Sequence, residues 1–75
     1  AHALKGELDA AIADFNRAIE IDPQFKEAYF NRGTAHYRKG ELDAAIADFE
    51  RYLQLAPDAE DRVEVERWLK ELRGR

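Results

Sequence analysis

The sequence contains no cysteine, no methionine and no serine, and its one threonine is Thr34. Disulfide bonds are therefore excluded, and so are the cysteine and serine nucleophiles of covalent catalysis. The two histidines, His2 and His36, lack nearby cysteine or converging carboxylate ligands, so they fall short of the three or four ligands of a zinc site. We expect neither an enzyme nor a protein that needs a metal or another cofactor.

An excess of positive charge and long hydrophobic runs are also missing. The 12 basic side chains are scattered and are outnumbered by 16 acidic ones, which gives a formal net charge of −4. A nucleic-acid-binding protein needs a basic stripe to displace counterions from phosphates, and a membrane span needs about 20 apolar residues in a row. No nucleic acid or membrane is therefore expected as a partner. The sequence does not fix a compartment, although a cytoplasmic one is favoured.

What the sequence does contain is an internal duplication. Residues 5–15 recur without a change as residues 39–49, which lie 34 residues later. In each copy, apolar residues recur at the spacing of one face of an α-helix. They are Leu8, Ala11, Ile12, Phe15 and Ile19 in the first copy, and Leu42, Ala45, Ile46, Phe49 and Leu53 in the second.

Glycine and proline divide the chain into helices. Gly6 and Gly40 each follow a helical segment and are predicted to cap it in the left-handed conformation. Pro23 and Pro57 disfavour helix for the residue before them and should end two further helices. We predict a helical tail at 1–5 and helices at 7–21, 25–39, 41–55 and 59–73, with Asp58 capping the last. Short loops make sequential helices antiparallel neighbours.

The second copy and the helix before it resemble the tetratricopeptide repeat family. The matching residues are Tyr29, Gly33, Ala45, Phe49 and Pro57, and the first copy contributes Ala11, Phe15 and Pro23. Two residues depart from the family pattern: Arg32 replaces the usual Leu, and His36 replaces the usual Tyr. The resemblance implies an all-α fragment of a superhelical solenoid built from antiparallel helix-turn-helix repeats. Its parts would be a partial first repeat at 1–25, a complete second repeat at 26–59 and a C-terminal capping helix at 60–75, all within one structural domain.

Packing follows from the same residues. Gly33 is expected to lie against Ala45 where two helix backbones approach closely, and Phe49 is expected to fill the wedge between the helices. His36 should lie in the same helix–helix seam. Asp14 and Asp48 are interpreted as solvated surface. In the last helix Trp68 shares an apolar stripe with Val65, Leu69 and Leu72, and is interpreted as core.

Members of this family usually bind extended peptides in a concave groove lined by the first helix of each repeat. The resemblance therefore implies a protein or peptide partner. The predicted groove residues are Glu27, Phe30, Asn31, Thr34, Tyr37 and Arg38. The alternative is that Phe30 and Tyr37 pack against neighbouring helices. The family's carboxylate clamp is not expected, because Asp61 and Val65 fall where its Lys and Arg would be needed.

A second hypothesis is self-association into a homo-oligomer. The first repeat retains only the end of its first helix, so the apolar face of Leu8, Ala11 and Phe15 should have lost most of its cover. Fewer than three full repeats are also marginal for stability. We expect either residues upstream of Ala1 or another copy of the chain to cover this face.

Overall fold

The computed structural model describes residues 3–74, with side chains from residue 6 onward. Four helices follow one another, and there is no strand within this part of the chain. They are α1 (Ala3–Ile21), α2 (Lys26–Arg38), α3 (Leu42–Leu55) and α4 (Arg62–Arg73). Each packs antiparallel to the next, so the predicted all-α helical-repeat architecture is confirmed.

The turn between α2 and α3 depends on Gly40. Its φ of +83° is in the left-handed region, which glycine adopts without steric cost. Two hydrogen bonds complete a Schellman cap: the Gly40 N–H donates to the Tyr37 carbonyl at 3.0 Å, and the Glu41 N–H donates to the His36 carbonyl at 2.9 Å. The cap predicted at Gly40 is therefore confirmed. The predicted ends at the prolines also hold, because α1 ends at Ile21 and α3 at Leu55.

The cap predicted at Gly6 is wrong, because α1 runs through this glycine without a break. A helix end here would be favoured only if the residues before Gly6 formed a helix that packed back on α1. Residues 3–5 instead continue α1, and extending an existing helix adds one hydrogen bond per residue. Glu7 and Asp9 consequently lie inside α1 rather than at its N-terminus.

The start predicted for α4 is also wrong, since the helix begins at Arg62 and not at residue 59. Turns bridge the gap, with the Ala59 N–H donating to the Ala56 carbonyl at 3.1 Å. The cap position belongs to Asp61 rather than Asp58, and its side chain makes no capping bond. Instead Asp61 accepts a hydrogen bond of 2.9 Å from the Tyr52 hydroxyl. A tertiary contact thus takes the carboxylate that a helix cap would have used.

The core lies where α2, α3 and α4 meet. Its buried members are Tyr29, Ala45, Phe49, Tyr52, Ala56, Val65, Leu69 and Leu72. Gly33 brings the backbone of α2 close to α3. A Cβ placed on Gly33 would lie nearest to Phe49 and Asp48, at 3.0–3.2 Å. The missing side chain therefore makes room for the Phe49 ring.

Candidate functional site

A groove runs between α2 and α4, and α3 forms its floor. It contains a cavity of about 390 Å³ that is open to solvent. The lining residues are Thr34, Tyr37 and Arg38 from α2, Phe49 from α3, and Trp68, Glu71 and Leu72 from α4. We call the space that these residues line the groove cavity. Helices α2 and α4 both pack on α3, and the rings of Phe30 from α2 and Trp68 from α4 meet between them.

Four aromatic rings pack together beneath and beside the groove. Phe30 lies at the centre of the cluster, with its ring centroid 5.8 Å from that of Phe49, 5.1 Å from Tyr52 and 5.9 Å from Trp68. Trp68 also touches Phe49, at 5.8 Å between centroids. Edge-to-face contacts of this kind stabilise a ring arrangement beyond simple burial. Phe30 is therefore half-buried beneath the groove and supports the exposed Trp68.

Of the other predicted groove residues, three line the cavity and two do not. Tyr37 and Arg38 are exposed at its edge, and Tyr37 retains 42% of its accessible surface. The hydroxyl of Thr34 donates to the Phe30 carbonyl at 3.0 Å, so its oxygen can still accept a hydrogen bond from a ligand. Glu27 and Asn31 are exposed on α2 outside the cavity.

Four cavity residues were missed by sequence reasoning. Phe49 was expected only to fill the wedge between the helices, and Trp68, Glu71 and Leu72 were missed because α4 was interpreted as a cap with an apolar inner stripe. Val65, Leu69 and Leu72 are buried as expected, but Trp68 is 37% exposed and lines the cavity beside Glu71. The interpretation of Trp68 as core is therefore wrong in part. A stripe three or four residues wide places its outermost members at the edge of the interface, where a large ring is only partly covered.

A buried ion pair joins α2 to α3 next to the groove floor. Arg32 donates from Nε to Asp48 Oδ2 at 2.9 Å and from Nη2 to Asp48 Oδ1 at 2.7 Å. Asp48 is only 4% exposed, so the prediction that it is solvated surface is wrong. A bidentate guanidinium is what allows a carboxylate to be buried in this way. The hydrogen bond to Asp48 raises the pKa of Arg32 against the opposing effect of burial.

Arg32 also connects this pair to α1, because its Nη1 donates to Asn16 Oδ1 at 2.7 Å. The departure of Arg32 from the family's usual Leu therefore has a structural explanation. One guanidinium contacts the two flanking helices α1 and α3 and fixes the position of α2 between them. Lys39 adds a second link from the end of α2 to Asp9 of α1.

His36 lies in the seam between α2 and α3. Its Nδ1 is 2.7 Å from Glu41 Oε1, and its Nε2 is 3.8 Å from Asp48 Oδ2. The hydrogen bond from His36 lowers the pKa of the Glu41 carboxyl. Within residues 3–74 no cluster of three or more His, Asp or Glu side chains is arranged to hold a metal ion. His2 lies outside the described residues.

The predicted self-association face on α1 is half-buried rather than open. Leu8, Ala11 and Phe15 all retain intermediate exposure, and none is among the strongly exposed large apolar side chains. The neighbouring Asp14 is exposed, as predicted. The apolar patch on α1 is therefore smaller than the sequence indicated.

No helix in the described part of the chain is both long enough and apolar enough to cross a membrane.

Comparison with protein families identifies the repeat. One family model, described as TPR repeat, matches residues 1–40, and a second, described as tetratricopeptide repeat, matches residues 27–59. The chain belongs to the tetratricopeptide repeat family. No curated protein matches it closely enough to count as a relative. Tetratricopeptide repeats generally mediate protein–protein interaction and are typically non-catalytic.

Proposed function

We propose that this tetratricopeptide repeat protein binds an extended peptide segment of a partner protein in the groove between α2 and α4. The observation that carries the proposal is Trp68. A large ring that is 37% exposed stands at an open cavity, and its other side rests on Phe30 and Phe49. The neighbouring rings already hold the Trp68 side chain in place. A ligand that covers Trp68 therefore loses little binding free energy to the ordering of this side chain.

The cavity suits an apolar side chain of the peptide. At about 390 Å³ it lies in the lower part of the range of small-ligand sites, so it would accommodate only a short stretch of a peptide. Its surface combines Trp68, Phe49 and Leu72 with the half-exposed ring of Tyr37. Tryptophan, tyrosine and arginine are the side chains that most often dominate binding energy at interfaces.

Polar groups along the groove would orient the peptide backbone. Arg38 and Glu71 stand on opposite helices at the cavity, where they can pair with a carboxylate and an amine or an amide of the ligand. Thr34 offers an acceptor for a peptide N–H. Asn31 and Glu27 are exposed on α2 outside the cavity, where an extended peptide longer than the cavity could contact them.

A peptide array would identify a ligand, and titration calorimetry would measure its affinity for matched variants. Tyr37→Ala removes an exposed ring from the cavity edge and should weaken binding by about tenfold or more, as loss of an interface anchor does. Val63→Ala is the control, because Val63 is 65% exposed on α4 and does not line the cavity. Equal losses in the two variants would show that the peptide binds elsewhere.

Self-association through Leu8, Ala11 and Phe15 receives less support. All three are half-buried in the single chain, so covering them would remove less apolar surface from water than the sequence suggested. The proposal therefore rests on the groove. Light scattering at micromolar and at millimolar concentration would measure the oligomeric state directly.

A further inference from the structure

The exposed tryptophan of the groove stands between two carboxylates. Phe30 and Phe49 cover part of the Trp68 ring, and the rest is open to solvent at the cavity. Glu64 lies four residues before Trp68 and Glu71 three residues after it, so both are its neighbours on one face of α4. Both carboxylates are exposed, and neither makes an ion pair within the described side chains.

The groove is acidic toward the first residues of α2 and α4, which lie at the same end of α3. The Tyr52 hydroxyl donates a hydrogen bond of 2.9 Å to Asp61 there. After burial and this hydrogen bond, the charges of Asp61 and of Glu27 on α2 also raise the pKa of Tyr52, so both carboxylates lie near one hydroxyl. Arg38, the one basic residue among those that line the cavity, lies at the opposite end of α2. A cationic group of a ligand is therefore attracted toward Glu27 and repelled by Arg38.

The protein itself holds an arginine between a ring and a carboxylate. The guanidinium of Arg32 lies 5.5 Å from the ring centroid of Tyr29 and donates two hydrogen bonds to the Asp48 carboxylate. The two contacts are compatible because the flat face of a guanidinium stacks on a ring while its edge donates hydrogen bonds. Trp68 and Glu64 offer the same two groups to a ligand, and tryptophan is the side chain whose ring attracts cations most strongly.

We infer that the groove selects a basic peptide, one arginine of which stacks on Trp68 and pairs with Glu64. The inference rests on the proposed function, in which an apolar side chain of the peptide fills the cavity. Side chains two residues apart in an extended peptide point the same way and lie about 7 Å apart. Glu64 lies about 6 Å along α4 from Trp68. The arginine is therefore expected two residues from the apolar side chain, on the side toward Glu27.

The probes for this test are three pools of capped synthetic peptides with a central leucine, isoleucine, phenylalanine or methionine. The positions two residues before and two residues after it carry arginine in the first pool, glutamine in the second and glutamate in the third. Because Trp68 is the only tryptophan of the chain, its fluorescence measures the binding of these tryptophan-free peptides. The arginine pool should bind about tenfold more tightly than the glutamine pool, since hydrogen bonds to charged groups contribute more than neutral ones. The glutamate pool should bind most weakly.

Two variants of α4 assign the preference to its carboxylate. Glu64→Gln should remove most of the difference between the arginine and glutamine pools and leave the affinity of the glutamine pool unchanged, since only the arginine forms the pair. Glu66→Gln is the matched control, because it makes the same charge change on the same helix, whereas Glu66 pairs with Arg62 and does not line the cavity. The preference for arginine should persist in that variant. A pool with lysine in place of arginine should bind less tightly than the arginine pool, because lysine keeps the charge but not the flat stacking group.

Failure of this inference can be told apart from failure of the proposed function. Equal binding of the three pools would leave the groove as a peptide site and overturn its preference for a basic peptide. Tighter binding of the glutamate pool would also overturn that preference and assign the selection to Arg38. An unchanged preference for arginine in Glu64→Gln would overturn the pairing with Glu64. If no pool changed the fluorescence of Trp68 up to about 1 mM peptide, which corresponds to a negligible affinity, the proposed function would fail as well.

Discussion

Replacing Gly33 with alanine should destabilise the fold, although the same change usually stabilises a helix. In a helix interior, alanine is favoured over glycine by about 0.8–1.0 kcal/mol. At Gly33, however, the new Cβ would lie 3.0 Å and 3.1 Å from two ring carbons of Phe49 and 3.2 Å from the Cβ of Asp48. These distances are shorter than the optimal separation of about 3.5–4.0 Å between carbon atoms.

The neighbours of Gly33 have little freedom to move aside. The Phe49 ring is packed against Phe30 and Trp68, each with centroids 5.8 Å away. Asp48 is held by both hydrogen bonds from Arg32. Overpacking of a well-ordered site costs about 1–3 kcal/mol. After the gain in helix propensity is subtracted, Gly33→Ala should lower the free energy of unfolding by up to about 2 kcal/mol, and Gly33→Leu by more.

Gly6 provides the matched control because it lies in α1 with no atom within 4 Å of an added Cβ. Gly6→Ala should therefore raise the free energy of unfolding by up to about 1 kcal/mol. Urea denaturation followed by far-ultraviolet circular dichroism measures both variants in the same way. If Gly33→Ala stabilised the protein as much as Gly6→Ala, the close approach of α2 to Phe49 would be refuted.

Three further predictions use the same unfolding assay or a simple titration. Phe49→Ala should lower the free energy of unfolding by about 3–5 kcal/mol, because it leaves a cavity in the aromatic cluster. A decrease below about 1 kcal/mol would contradict the central place of Phe49 in that cluster. Asp48→Asn should lower the free energy of unfolding by about 1–3 kcal/mol because it breaks a buried charged pair. Asp14→Asn, at the same position of the first copy, should change it by less than about 0.5 kcal/mol. Equal effects of the two variants would contradict the difference in burial. Burial, followed by the hydrogen bond to Asp61, raises the pKa of Tyr52. The stability that this neutral phenol contributes is present below the ordinary tyrosine pKa and is lost as the pH rises through the folded-state pKa. In a pH titration followed by tyrosinate absorbance, the tyrosine that ionises at the highest pH should therefore be missing from Tyr52→Phe. An identical titration curve for the variant and the unaltered protein would contradict the raised pKa of Tyr52.

Features that depend on local backbone chemistry were predictable from the sequence. Gly40 was predicted to cap α2, because a left-handed residue is cheap only for glycine. The prolines at 23 and 57 end their helices for an equally local reason. The repeat period then fixed the order of the helices and their antiparallel packing.

Features that depend on what a residue packs against were not predictable from local sequence. Gly6 and Gly40 lie in identical segments, yet only Gly40 ends a helix, because only there does the preceding helix pack back on the next one. Asp14 and Asp48 also lie in identical segments, and only Asp48 meets an arginine from another helix. No property of residues 5–15 or 39–49 alone could have distinguished these outcomes.

The candidate groove shows the same limit. The spacing on α2 identified Thr34, Tyr37 and Arg38, which line the cavity, together with Phe30, which supports the floor. It could not identify Trp68 from α4, because the position of a ring at the edge of an apolar stripe depends on how far the helix is rotated against α3. Four of the seven residues that line the cavity could therefore be identified only from the structure.

The most direct test of the account is to map a peptide selected on an array onto the isotope-labelled protein by chemical shifts. Binding in the groove predicts that the indole N–H of Trp68 and the amides of Thr34, Tyr37 and Arg38 shift together and saturate at one dissociation constant. Shifts confined to α1 and α3, around Asp14 and Asp48, with Trp68 unaffected, would contradict it.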